Sequence, residues 1–222
     1  MKMRSILAGA VGVITTLGCG AEPDGERGDD LSRVGEEHAQ ALAQNLNAKP
    51  STTASYVFPV PDGWETETDP LPPPWDPSFP FVGTEELRFP PGWADPATNE
   101  WWSYDYLLWI DSGPAVTAPR LEQALVSYYK GLMDNCVSVP CDPTQFSARL
   151  KRVVNSSALS IFAGQTEIFD LVGTPITLNL IISSVVCPRS KHRAVLFSAS
   201  PYPVSAPIWK ELLGLQLAFR CN

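Results

Sequence analysis

Trp101, Asp105 and Trp109 recur at intervals of four residues in an aromatic run from Trp101 to Ile110. On an extended strand, where side chains alternate between faces, all three share one face with Ser103 and Leu107. Two indoles flanking a carboxylate can stack on a sugar ring or hold a cation against their ring quadrupoles. The competing arrangement has this face covered by a Pro-rich segment carrying Trp64 and Trp75, which makes it a second small core. Trp102, Tyr104, Tyr106, Leu108 and Ile110 fall on the opposite, more apolar face, expected to point into the main core.

Other chemistry has less to work with. Glycoside hydrolysis needs two carboxyl groups about 5 Å or 7–9 Å apart. Asp105 and Asp111 share a face, but six residues of strand separate them by about 20 Å. Asp105 with Glu85 or Glu86 on a neighbouring strand is the remaining carboxylate pair. The chain has no GxSxG nucleophile elbow, HExxH, P-loop or GxGxxG. With only two histidines, His38 and His192, a His-rich metal site is excluded, and no catalytic residue, metal or cofactor is assigned. His192, near Ser190, falls in a basic turn, and His38 in a polar leader. Arg149, Lys151 and Arg152 form either a solvated strand edge, charged against unwanted pairing, or a patch for an anionic partner.

The elements that must position these groups follow from hydrophobic period. Residues 56–81 carry Pro59, Pro61, Pro70, Pro72, Pro73, Pro74, Pro77 and Pro80, so they should form an ordered extended wrap rather than a helix or central strand. Trp64, Trp75, Phe79 and Phe81 would plug it onto the domain. Glu85 to Phe89 reads as a short strand stopped by Pro90-Pro91-Gly92, and Trp101 to Ile110 as a long one. Leu121, Ala124, Leu125, Tyr128 and Leu132 make an amphipathic helix, with Thr117 as its N-cap. Strands follow at Phe146–Lys151, Leu159–Phe169, Ile176–Cys187 and Arg193–Ala199, the last two forming a hairpin. A helix from Pro207 to Leu213, capped by Ser205 and stopped at Gly214, precedes a final strand, Leu215 to Cys221. The order β-β-α-β-β-β-β-α-β over residues 82–222 predicts a single α+β domain, a mostly antiparallel sheet of about seven strands with two helices on one face.

Composition and charge bound the rest. The 222 residues are 44% hydrophobic and 18% charged, which suits one packed domain. A net charge of −8 argues against a nucleic-acid partner. Residues 22–37 carry seven acids against Arg27 and Arg33, so 19–55 reads as a disordered acidic tether, with a weak helix allowed from Leu31 to Leu46. Residues 57–111 hold eleven carboxylates and one base, Arg88, whereas ten bases against six acids follow from residue 112. The two parts are expected to fold against each other and partly neutralise, a dedicated cation or glycan site being the alternative.

Residues 1–18 have the form of a secretory signal: Lys2 and Arg4, then an apolar run from Ile6 to Leu17, too short to span a bilayer, which needs roughly 20 residues. Its end, Thr16-Leu17-Gly18-Cys19, resembles the lipobox of bacterial lipoproteins, although Thr16 stands where an aliphatic residue is usual. That resemblance implies cleavage before Cys19 and a lipid on its sulfur; simple secretion, with cleavage near Gly20 or Ala21, is the alternative. Loss of Lys2 and Arg4 with the signal leaves 14 bases against 24 acids, a net of −10. Of five cysteines, an acylated Cys19 leaves Cys136, Cys141, Cys187 and Cys221, which permit three pairings. Spacing favours Cys136 with Cys141, leaving Cys187 with Cys221. A zinc site is the rival, disfavoured by the lack of a CxxC pair and by export.

The run Gly83-Thr84-Glu85-Glu86-Leu87-Arg88-Phe89-Pro90-Pro91-Gly92-Trp93 followed by Trp101-Trp102-Ser103-Tyr104 resembles a group of uncharacterised bacterial secreted proteins. The resemblance extends through Phe162-Ala163-Gly164, Asp170, Pro175-Ile176-Thr177-Leu178-Asn179, Cys187, Ser200-Pro201 and Ile208-Trp209. It covers residue 82 to the end and implies one shared domain and a Cys187–Cys221 bridge, but no activity. The expected function is an exported cell-envelope protein, tied by its N-terminal lipid to a membrane (the outer one in a Gram-negative cell), that binds a ligand or envelope partner without catalysis. A small carboxylate-dependent hydrolase is the alternative.

Overall fold

Seven strands with alternating or wholly apolar patterns pair antiparallel throughout. The computed structural model describes residues 24–46, 55–136, 142–170 and 172–221. The chain begins with a helix, α1 (Asp24–Leu46), followed by β1 (Tyr56–Val57), β2 (Glu65–Leu71), β3 (Val82–Phe89) and β4 (Tyr104–Ser112). Next come α2 (Ala118–Cys136), β5 (Ser147–Asn155), β6 (Leu159–Phe169), β7 (Pro175–Val186), β8 (Arg193–Ser200), α3 (Ile208–Ala218) and β9 (Arg220–Cys221). From β3 onward this is the α+β order expected from sequence. The large sheet runs β2-β3-β4-β8-β7-β6-β5, so β2 and β5 are its edges. β1 and β9 form a separate two-stranded ribbon, Tyr56 opposite Cys221.

Both faces of the sheet are covered. On one, α2 lays Leu121, Leu125, Tyr129 and Leu132 over Tyr104, Tyr106, Leu108 and Ile110 of β4, with Phe79 and Phe81 of the Pro-rich wrap closing the same core. On the other, α1 and α3 supply Leu31, Ala39, Leu42, Ile208, Trp209 and Leu212 over Leu107, Trp109, Ile161 and Ile181. The helices therefore flank the sheet rather than share one face. The central strands β4, β8 and β7 are buried on both sides, which is why β7 and β8 read as nearly unbroken apolar runs.

The acidic leader departs most from expectation. Residues 24–46 are not a solvated tether but a helix, because Leu31, Val34, Ala39 and Leu42 form a stripe long enough to cover the sheet, and the acids lie on its outer side. Gly35 makes the close approach: a Cβ there would sit 3.1 Å from a Val153 methyl. At the other end of the chain, α3 runs through Gly214 to Ala218, so the final strand shrinks to Arg220–Cys221. Ser205 provides no cap; Pro207 occupies the N-cap position without a side-chain hydrogen bond. The Pro-rich segment contributes β2, an edge strand, as its prolines require.

Cys187, just beyond β7, is bonded to Cys221 of β9. Cys19, Cys141 and the side chain of Cys136 lie outside the described residues, as does the signal segment, so the Cys136–Cys141 pairing remains an expectation.

Candidate functional site

Toward the N-terminal end of α1 the apolar stripe stops at Leu31, and the sheet beneath stays polar. β5, β6 and β7 there present Ser147, Arg149 and Lys151, then Gln165 and Glu167, then Thr177, side by side at alternate positions. Gly28, Asp29 and Ser32 of α1 form the opposing wall. The result is an open groove of about 470 Å³, within the size range of small-molecule sites but more polar than most. Gly164 on its floor is packed so closely on β5 that a Cβ would lie 1.9 Å from the Arg149 carbonyl oxygen.

Hydrogen bonds fix part of this lining. The Ser147 hydroxyl donates to Glu167 Oε2 at 2.7 Å, and Gln165 Nε2 donates to Asn179 Oδ1 at 2.8 Å. Asn179 Nδ2 in turn donates to the Tyr202 carbonyl at 2.9 Å. From α2, on the other side of the sheet, Glu122 Oε1 accepts the outward-pointing Leu150 N–H of edge strand β5 at 2.7 Å. Arg149, Lys151 and Arg152 are exposed and take part in none of the ion pairs among the described residues. The groove thus offers two guanidinium or ammonium groups, hydroxyls and an amide beside the carboxylates Asp29, Glu122 and Glu167. That set can bind a charged or zwitterionic polar ligand; no nucleophile–base pair is aligned within it.

The aromatic face expected from sequence is not assembled as a surface. Trp101 precedes β4 in a turn, and the left-handed backbone at Trp102 (φ 50°) breaks the alternation. Trp101 and Trp102 consequently both pack on the α2 side. Asp105 and Trp109 do face the other side, but at 1% and 7% exposure they belong to the second core. Trp109 is stacked between Tyr56, at 4.3 Å, and the His192 ring, at 4.9 Å. His192 Nε2 lies 3.2 Å from Asp111 Oδ1, so this histidine rests on a tryptophan rather than standing free in its turn. Trp64 packs at the edge of this core and Trp75 on the other one.

Nor do the carboxylates weighed for hydrolysis converge in the open. Asp105 lies opposite Ser198 of β8 and beside Arg88 of β3, with no hydrogen-bond partner within normal range. Burial pushes its pKa well above the usual carboxylate range, against the opposing pull of the Ser198 hydroxyl and the Arg88 charge. Glu86 shares that face, bound by the Tyr56 hydroxyl and by Arg88 Nη2 at 2.6 Å. Arg88 also donates to the Phe58 and Pro59 carbonyls, pinning the Pro-rich segment to the sheet. Glu85 points into the other core. Its Oε2 accepts from the Tyr128 hydroxyl at 3.2 Å, beside a cavity of about 10 Å³ lined by Phe79, Phe81, Tyr106 and Phe197. That is room for one water. Burial drives its pKa up to about 8, so the group is a neutral acid at pH 7.

The leader histidine is also interior. His38 lies on the inner face of α1, its Nε2 3.0 Å from Gln216 Oε1. The Gln216 amide donates to the Ile181 carbonyl and to Ser198 Oγ, and Ser183 donates to Gln216 Oε1. With the Gln216 nitrogen committed, its oxygen faces His38, which must therefore carry its proton on Nε2. Burial lowers the His38 pKa to about 4, so the ring is neutral. This network ties α1, α3 and the sheet together; it does not reach the surface. Among the described residues no group of three or more His, Cys, Asp or Glu is placed to hold a metal ion.

Sequence reasoning found the basic half of the groove and missed the rest. The available signal was the polar pairs Gln165/Glu167 and Thr177/Asn179 interrupting one end of two otherwise apolar strands. Neither a search of protein-family models nor one of curated proteins returns a match to the chain.

Proposed function

We propose that the chain is an exported, lipid-anchored envelope protein that binds a polar ligand in the groove between α1 and strands β5–β7. The observation that carries the binding reading is the groove itself, with the cations Arg149 and Lys151 in no ion pair among the described residues and set in a ligand-sized space. Export is supported by the Cys187–Cys221 bridge, since such bonds persist in oxidising compartments. Anchoring is supported by the Leu17-Gly18-Cys19 sequence.

Two measurements test it. Mass spectrometry of the N-terminal peptide from membrane fractions should show chain start at Cys19 with a lipid on its sulfur. An unmodified start near Gly20 or Ala21 overturns anchoring in favour of simple secretion. Thermal-shift screening with sugars, peptides and phosphorylated headgroup analogues should give at least one stabilising compound whose effect is lost in Arg149→Ala/Lys151→Ala. A panel in which no shift depends on those residues overturns the groove.

A further inference from the structure

Resting on the lipid-anchor reading, we infer that the β5 edge of the sheet is the face that docks on the bilayer, with anionic lipid headgroups as its partner. Two independent observations converge on that edge.

The first is reach. Five residue-to-residue steps, through four intervening residues, lead from Cys19 to Asp24, the first residue of α1. Fully extended they span at most about 17 Å. A tether of 37 residues, 19–55, would have reached on the order of 120 Å, but most of it is helix packed on the domain. The end of α1 nearest the anchor is the end whose Gly28, Asp29 and Ser32 stand over β5–β7. An acyl chain on Cys19 therefore keeps this end of the body close to the membrane surface and lets the rest stand farther off.

The second is charge. Strand β5 carries Arg149, Lys151 and Arg152 and no acid. The opposite edge, β2, carries Glu65, Glu67 and Asp69 and no base. Six strand spacings separate these edges, roughly 29 Å. Because the chain as a whole is acidic, an anionic leaflet repels it in most orientations. The orientation least repelled puts β2 outward and β5 against the headgroups. The anchor and the charge asymmetry select the same edge, even though Asp29, Glu122 and Glu167 also lie at that edge and moderate the attraction.

The experiment uses the acylated full chain, its Cys19 lipid first verified by mass, in vesicles of phosphatidylcholine with or without about one-third phosphatidylglycerol. A fluorophore is placed on Asp29→Cys or on Ser112→Cys, and quenching by headgroup-nitroxide lipid is read. Ser112 is exposed at the far end of β4, roughly 30 Å from Lys151 by strand spacing and rise. Quenching at position 29 should exceed that at 112 severalfold in anionic vesicles. The triple variant Arg149→Glu/Lys151→Glu/Arg152→Glu should cut that preference at least twofold there, and much less in pure phosphatidylcholine. Equal quenching at the two positions, or a preference that charge reversal leaves unchanged, overturns the docking face. A chain without the Cys19 lipid fails the anchoring reading instead, and this inference falls with it. Unchanged melting of the triple variant separates lost docking from lost folding.

Discussion

Between pH 4.5 and 8 the folded chain keeps a proton on Glu85 that the unfolded chain has released. Its contribution to stability is whole below about 4.5 and drains away as pH rises toward 8, by at most about 1.4 kcal/mol per unit. Asp105, also raised by burial, acts in the same direction. His38 acts oppositely: its depressed pKa makes its contribution whole above 6.5 and lost as pH falls toward 4. Below 6.5 the histidine offsets a carboxyl, whereas above it the carboxyls act alone. Thermal melts should therefore show stability falling from pH 6.5 to 8, and Glu85→Gln should flatten that fall. A Gln variant with the wild-type slope would mean that Glu85 is ionised in the fold. None of this was visible in the sequence, where Glu85 and Glu86 are adjacent acids. Strand alternation sends one into an aromatic core and the other to Arg88.

At the scale of elements, α1 is held by a narrow apolar stripe and by the His38–Gln216 bond. Replacing fully buried Leu42 by Ala should cost about 2–5 kcal/mol in denaturant unfolding. A change below half a kcal/mol would show that the helix is dispensable to the core. Gly164→Ala should be harsher in kind, since the new methyl would collide with the Arg149 carbonyl and force β5 off β6. Amide exchange should then rise selectively along residues 147–155 while β4 and β8 remain protected. The strands and α2 were legible because their periods are strong. The leader helix is half legible: its stripe allows a helix from Leu31 to Leu46, but acids outweigh apolar residues in composition and hide its start at Asp24 and its packing on the sheet. The Trp101 face failed for a different reason: one left-handed residue, Trp102, shifts parity, and period counting assumes an unbroken strand. The groove was half visible, since adjacent bases stand out, whereas the polar residues opposite them come from segments far apart in sequence.

For the whole molecule, the two cores divide the labour. The α2 side is built from chain-middle elements and the Pro-rich wrap; the other is closed by α1, α3, β1 and β9. The Cys187–Cys221 bond spans 34 residues and should stabilise the fold by about 3–4 kcal/mol through chain entropy. Cys221→Ser, followed by urea denaturation, checks this; an unchanged midpoint would show that the β1–β9 ribbon holds without it.

The joining of α1 to α3 has a temporal corollary. During synthesis the opening helix emerges without the closing one, and its greasy stripe must wait until Ala218, 172 positions beyond Leu46, has followed. Such non-local closure is slow, so holdase chaperones that shield exposed apolar surface should matter most to this chain in the interval before α3 arrives.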